Sequence, residues 1–420
     1  MKQSLSIVAI GDELLVGQVT DTNSPYIATV IDPAGWRVDS VIVVHDDARA
    51  IREAIGRAFE ASPVVITTGG LGPTKDDITK QVLTDIFGGT LVSDDRVLDA
   101  VRSIMERRGL ELNESTAAQA LVPSSARIFV NEVGTAPIMW FEKDGRVLVA
   151  LPGVPFEMRH MFTRHIFPAL MERFGASHAL THRTVLTTDV SESALSEMLE
   201  EFEASLPAGF HLAYLPNMGY IRLRLDGTGT DHEGLNAEAD RLHAALKALC
   251  RDYILHDRDM TPAEILLDQL RQRGLTFATA ESCTGGNIAH LITSIPGSSE
   301  AMLGGVVSYS NSVKEQLLGV DPQLIAELGA VSEPVTEQMA RGVQRATGAD
   351  VAVATSGIAG PGGAVAGKPV GTVCFGIAVG PTARTLTLHL PGDRSRVIDR
   401  ASNTALILAI RALHAFYANV

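Results

Sequence analysis

The sequence predicts a multidomain α/β protein: an amino-terminal doubly wound domain, a small α+β module and a carboxy-terminal α/β domain. Three observations predict it. Short Val/Ile-rich runs alternate with helical stretches at both ends of the chain, which suits parallel sheets buried on both faces. Glycine-rich turns follow directly after several of those runs. Between about 175 and 255 the rhythm changes to strand, helix, hairpin and long helix. At roughly 100–200 residues per domain, 420 residues accommodate such a division, with expected boundaries at 1–172, 173–255 and 256–420.

In the first segment the expected strands are Leu5–Ile10, Val38–Val44, Val64–Thr68, Ala126–Val130 and Arg146–Leu151. Helical patterns lie near Ser24–Ile31, Ala48–Glu60, Asp77–Phe87, Asp95–Arg108 and Pro155–Arg173. This β-α-β alternation implies right-handed crossovers. The middle segment reads as a strand at Arg183–Thr188 and a helix at Glu192–Leu206. A hairpin then turns at Pro216-Asn217-Met218-Gly219, and a helix follows at Asp231–Leu249. In the last segment, Thr261 with Pro262 and Glu264 gives an N-cap, a proline at the first helical position and a capping box. Strands follow at Leu275–Ala280, Gly305–Tyr309, Val351–Thr355, Thr372–Ala378 and Thr385–Leu390, with a final helix at Arg396–His414. Gly357–Lys368 reads as a loop.

Composition narrows the function classes. Apolar residues make up 45% and charged residues 20%, so packed cores are expected rather than disorder. Thirty-five Lys and Arg against 49 Asp and Glu give a net charge of −14, so direct nucleic-acid binding is not expected. The 3 cysteines form no CxxC pair, which argues against a disulfide scaffold or a zinc ribbon and fits a reducing compartment. No apolar run is long enough for a membrane span. Met1-Lys2-Gln3-Ser4 passes straight into a strand rather than a secretory leader, so a cytoplasmic location is expected.

Two segments of the amino-terminal region carry chemistry. Gly11-Asp12-Glu13 follows the first strand, and Gly69-Gly70-Leu71-Gly72-Pro73-Thr74-Lys75-Asp76-Asp77 follows the third. In an open parallel sheet, loops at the carboxyl ends of strands line the ligand crevice. Gly69, Gly70 and Gly72, with Thr74, offer backbone close to a phosphate. Glu13, Asp76 and Asp77 are candidate oxygen ligands for a divalent metal ion. The simpler reading is that the two aspartates cap a helix and the glycines turn the chain. The spacing matches neither GxGxxG nor GxxxxGK[ST].

In the carboxy-terminal region, Glu281-Ser282-Cys283-Thr284-Gly285-Gly286 places small polar side chains at a strand end and glycines at a helix start. That suits a nucleophile beside an oxyanion hole of N–H groups near Thr284–Gly286. It is not a G-x-S-x-G elbow. No histidine is near, so a lysine made neutral by burial is the alternative base, and Lys314 is the best placed. Lys314 as a surface side chain, Ser282 as a helix cap and Cys283 as the nucleophile remain open on the residues alone.

GDELLVGQ, TTGGLGPTKDDITK, QALVP, NEVGTAP and LPGVPFEM resemble the amino-terminal half of the CinA family. ATAESCTGG, PGSS, VVSYSNSVK, SGIAGPGG, KPVGTV and GDR are similar to the family's carboxy-terminal domain. The resemblance covers nearly the whole chain and implies several things. The first half would have a molybdopterin-binding-like fold with divalent-metal-dependent ADP-ribose pyrophosphatase activity. The last domain would be a metal-free nicotinamide mononucleotide deamidase using a serine–lysine dyad, here Ser282 and Lys314, with Tyr309 and Thr284 beside them. Gly285, Gly286, Ser299 and Ser356 would contact substrate; the loop from Gly357 to Gly363 and Arg394 have the chemistry to hold its phosphate, with a salt bridge at the last helix the equal alternative for Arg394. A homodimer and a competence or recombination partner are also implied. The middle segment resembles a KH-like module without a GxxG clamp. Two departures from the family pattern are Ile138-Met139 after Ala136-Pro137, beside the expected crevice, and Ser356 in place of threonine. The competing readings are a competence or repair interaction protein, or a molybdopterin-type binding module without catalysis.

Overall fold

The computed structural model describes residues 3–74, 77–175 and 179–417. It divides into two compact units, Met1–Thr181 with Gly227–Asn236 and His182–Asp226 with Ala237–Val420.

In the first unit a six-stranded sheet runs in the order Arg37–Val44, Ser4–Ile10, Val64–Thr68, Arg146–Leu151, Ile138–Lys143, Arg127–Phe129. The first four strands are parallel, and Ile138–Lys143 runs antiparallel to both of its neighbours. Ser4–Ile10 and Val64–Thr68 are buried throughout, as predominantly apolar strands covered on both faces are, with Ser4, Ser6, Thr67 and Thr68 buried among them. Helices cover both faces. Ile27, Ile31, Met158 and Phe162 pack on one side, and Ile51, Ile55, Val82 and Leu83 on the other. Each such side chain contributes about 1.5–3 kcal/mol of burial. Asp47 caps the helix Ala48–Ala61 by accepting from the N–H groups of Arg49 and Ala50.

Two features differ from the sequence expectation. Ile138 and Met139, expected beside the crevice, open a buried strand instead, and both side chains are in the core. The helix expected at Pro155–Arg173 is interrupted by a π turn at Phe162–Ile166. Pro168 has no N–H to continue the regular ladder, so the backbone regroups just before it.

In the second unit, the middle segment forms a sheet in the order Phe210–Asn217, Tyr220–Gly229, Ala179–Thr187, Ile254–His256. It has its own core around Val185, Leu199, Leu223 and Leu246. Leu186, Tyr220 and Leu255 also join the main carboxy-terminal core, so most of this segment falls in the same compact unit. The carboxy-terminal sheet runs Met302–Val307, Phe277–Glu281, Val351–Gly357, Thr372–Val379, Thr382–His389. Its first three strands are parallel, and Thr372–Val379 runs antiparallel to both of its neighbours. The helix Pro262–Arg273 starts with the expected capping box of Thr261 and Glu264. The helix Arg394–Tyr417 buries Val397, Ala401, Leu406 and Ile410 in one core, and the helix Glu333–Thr347 buries Val335, Met339 and Val343 in another. Among the described residues, no helix is long and apolar enough to cross a membrane.

Candidate functional site

Each unit has a candidate site where strands end in glycine-bearing turns. In the second unit, Ser282 directly follows the strand Phe277–Glu281 and donates its N–H to Thr355 O at 2.9 Å. Glu281 is 1% exposed. Its carboxylate accepts from the N–H groups of Gly286 at 2.9 Å, Ile288 at 3.0 Å and Ala289 at 2.9 Å. An anion at this helix start satisfies donors that would otherwise lack acceptors, and it clamps the turn that presents Ser282.

Lys314 comes from the helix Asn311–Leu318, which Ser310 caps through the N–H of Val313. The side chain is 1% exposed. Its Nζ donates to Ser308 O at 2.6 Å and to Ser282 Oγ at 3.1 Å. Among the described residues it has no carboxylate partner. Burial pushes its pKa below the ordinary lysine value, opposed by the neighbouring Cys283 thiol. Ser282 and Lys314 open into a cavity of about 220 Å³ that Tyr309, Asn311, Ser356, Gly357 and Arg394 also line. Arg394 donates to Gly360 O at 2.9 Å and to the Tyr309 hydroxyl at 3.0 Å, tying the last helix to the glycine loop. Ser356 donates to Ala330 O at 2.7 Å.

Several expected contributors lie elsewhere. Thr284 is buried behind the turn, its hydroxyl 2.7 Å from that of Thr355, and it does not line the cavity. Gly285 gives its N–H to Ser282 O and Gly286 gives its own to Glu281, so neither donor faces a ligand. Among the described residues, the N–H groups of Cys283 and Thr284 have no backbone acceptor, the former meeting only its own thiol, which moves the candidate oxyanion donors toward the nucleophile. Ser299 sits in the turn Ser298–Glu300, outside the cavity lining. The Cys283 thiol is pushed up to about 12 by burial, which makes it a poor nucleophile. Asn311 and Glu281 were missed as site residues, although both stand inside the quoted motifs.

In the first unit, the turns after Ser4–Ile10, Val64–Thr68 and Arg146–Leu151 enclose a crevice of about 370 Å³. Gly69, Gly70 and Gly72 line it with Glu13, Asp46, Asp77 and Glu157. Gly70 has φ of +63°, and a Cβ there would come within 2.1 Å of Thr79 Oγ1, so only glycine fits. The Gly69 and Gly72 N–H groups are spent on Leu151 O and Asp77 Oδ1. Those of Gly70 and Leu71 have no acceptor among the described residues. Asp77 is a loop organiser in this structure: Oδ1 accepts from Gly72 N at 2.7 Å, and Oδ2 accepts from Thr74 N at 2.8 Å and Thr74 Oγ1 at 2.5 Å. Thr74 serves that fold and does not line the crevice. Asp76 lies outside the described residues.

Asp46, which sequence reasoning missed, has its carboxyl raised by burial, with repulsion from Asp12, Glu13 and Asp77 adding to the shift and the Asp12 N–H opposing it. Asp46 stands just after a strand that the sequence did show, and that position was the available signal. Among the described residues, no three His, Cys, Asp or Glu side chains are already arranged to hold a metal. The all-oxygen donor set of Glu13, Asp46 and Asp77 nevertheless has the chemistry a hard cation takes, and a cation would relieve their repulsion.

Comparison with known proteins covers both halves. Residues 259–413 match the CinA C-terminal domain, and residues 6–172 match the model described as "Probable molybdopterin binding domain". A CinA-like protein of Cytophaga hutchinsonii is 40% identical over 408 residues, covering 97% of each chain. A CinA-like protein of Salinibacter ruber is 43% identical over 408 residues, covering 97% of this chain and 98% of its own. Among solved structures, the competence damage-inducible protein A from Klebsiella pneumoniae is 34% identical, with TM-score 0.36, over 37% of this chain and 98% of its own. With both family models matched and relatives similar from end to end, the chain belongs to the CinA family.

Proposed function

We propose that the protein is a bifunctional hydrolase of pyridine nucleotide metabolism. Its carboxy-terminal domain would deamidate nicotinamide mononucleotide to nicotinate mononucleotide and ammonia. The single observation that carries this reading is the buried Lys314 Nζ at 3.1 Å from Ser282 Oγ. When charged, Lys314 donates to Ser282. When neutral, its lone pair accepts the Ser282 proton as the hydroxyl attacks the carboxamide carbon. The N–H groups of Cys283 and Thr284 steady the oxyanion. Lys314 returns the proton to departing ammonia, and water then hydrolyses the acyl-enzyme. Arg394 and the glycine loop at 357–363 suit the phosphate. Substitution of Ser282 and Lys314 by alanine, with ammonia release as the readout, tests this directly; near-normal release by a folded variant would refute it.

A second activity, metal-dependent ADP-ribose hydrolysis to AMP and ribose 5-phosphate, is favoured by the carboxylates gathered over the glycine floor of the first crevice. Glu13, Asp46 and Asp77 would hold a divalent cation, which neutralises pyrophosphate charge when bound. The N–H groups of Gly70 and Leu71 would donate to phosphate oxygens. Hydrolysis of ADP-ribose that needs an added divalent metal and stops with EDTA is the expected result.

A further inference from the structure

We propose that Glu157 is the general base of the amino-terminal crevice, taking a proton from the water that attacks the pyrophosphate. The inference rests on the pyrophosphatase reading and extends it. Glu157 stands in the first turn of the helix Pro155–Met161 and lines the crevice. Its carboxylate has a built seat. Asn131, 3% exposed, donates from Nδ2 to Glu157 Oε2 at 2.8 Å. The Asn131 amide is itself fixed, with Nδ2 also donating to Ala136 O at 3.0 Å and Oδ1 accepting from Val133 N at 3.1 Å and Gly134 N at 3.0 Å. A Cβ at residue 134 would fall 1.8 Å from Glu157 Oε2, so the carboxylate occupies the space that glycine leaves.

One oxygen is therefore held while the other, Oε1, has no hydrogen bond among the described residues. Asp77, by contrast, has both oxygens engaged by its loop. The carboxylates acting on Asp46 are Asp12, Glu13 and Asp77, whereas the charge facing Glu157 is the Arg108 guanidinium. The crevice thus separates a cation-attracting group from one oriented carboxylate. Burial raises the Glu157 carboxyl, with Asn131 and Arg108 opposing, and a stronger base results.

In the step, Glu157 Oε1 accepts one proton from water, and the water oxygen bonds to phosphorus. The bridging P–O bond breaks with its electron pair going to the leaving phosphate. The proton on Glu157 then passes to solvent.

The test is steady-state hydrolysis of ADP-ribose by the full chain across pH, with Mg²⁺ or Mn²⁺ titrated. Glu157→Gln should lower kcat by about 10²–10³-fold with KM within about threefold, and should flatten the acidic limb of the pH profile. Glu157→Asp, which keeps a carboxylate one methylene shorter, should recover part of kcat and retain that limb. A Gln variant within about threefold of wild type overturns the proposal. So does a loss that excess metal restores, which would make Glu157 a cation ligand. If the Gln variant does not fold, an Asp variant lacking the acidic limb overturns it as well. A wild type that does not hydrolyse ADP-ribose overturns the underlying reading too, and that outcome shows in the wild type alone.

Discussion

Each unit carries a lysine whose charge is disfavoured by burial, and the two have different surroundings. Lys80 in the first unit is pushed down to about 8 by burial, yet its Nζ donates to Gln119 O at 2.9 Å and Gln119 Oε1 at 3.0 Å. Lys314 in the second unit faces one carbonyl and the hydroxyl of Ser282 at the wall of a cavity. A depressed pKa alone therefore does not mark a catalytic lysine; a nucleophile within reach does. The sites differ in the same spirit. The second places one buried cation beside a serine, with the local carboxylate, Glu281, turned into the helix start. The first gathers carboxylates around an open glycine floor and keeps Lys80 out of the lining. One arrangement suits acyl transfer without a metal, the other a polyanion together with a cation.

The largest expected effects would break this contrast outright. Ser282→Ala and Lys314→Met should each lower deamidation by about 10³-fold or more, without reducing ADP-ribose hydrolysis. Lys314→Met should also melt no lower than wild type, because it removes a buried ammonium. Parallel loss of both activities in a folded variant would contradict two independent sites. Next, Asp77→Asn should lower metal-dependent hydrolysis by roughly 10–10²-fold, since it weakens the charge-assisted bonds that fold the Gly72–Thr74 loop. EDTA should abolish the same activity and leave ammonia release intact.

A smaller effect sharpens the role of Lys314. Its pKa lies below the ordinary 10.5, so the neutral base appears at lower pH than for a surface lysine. Deamidation should rise with pH through that lowered value and level off before 10.5. Across the same window the folded state binds fewer protons than the unfolded, so melting temperature should rise with pH as far as Lys314 governs it. The smallest effect belongs to Cys283→Ala, expected within about threefold of wild type, because the thiol is pushed up to about 12.

Much of the fold was legible because its signals are local. Val64–Thr68 and Arg146–Leu151 fall where the apolar runs stand, and the Thr261 capping box forms as its spacing indicates. The antiparallel strand Ile138–Lys143 was missed, since its residues read as the tail of a motif rather than as a period-two run. At the second site Ser282, Lys314, Tyr309, Ser356, Gly357 and Arg394 share one cavity. The direction of each N–H and hydroxyl was not legible. Gly285 and Gly286 look like ligand donors in sequence, but Ser282 and Glu281 take up their N–H groups, and the Thr284 hydroxyl meets Thr355 while its N–H stays available. Asp46 follows the end of a strand that the sequence showed, whereas Glu157 enters the first crevice through tertiary proximity that no local pattern encodes.

The central claim is that Lys314 serves Ser282 as a metal-free base. The direct measurement is ammonia release from nicotinamide mononucleotide in EDTA by wild type and by Lys314→Met, each shown to be folded. The account predicts sustained release by wild type and a loss of about 10³-fold or more in the variant. Equal release by both proteins, or release by wild type only when a metal is restored, would contradict it.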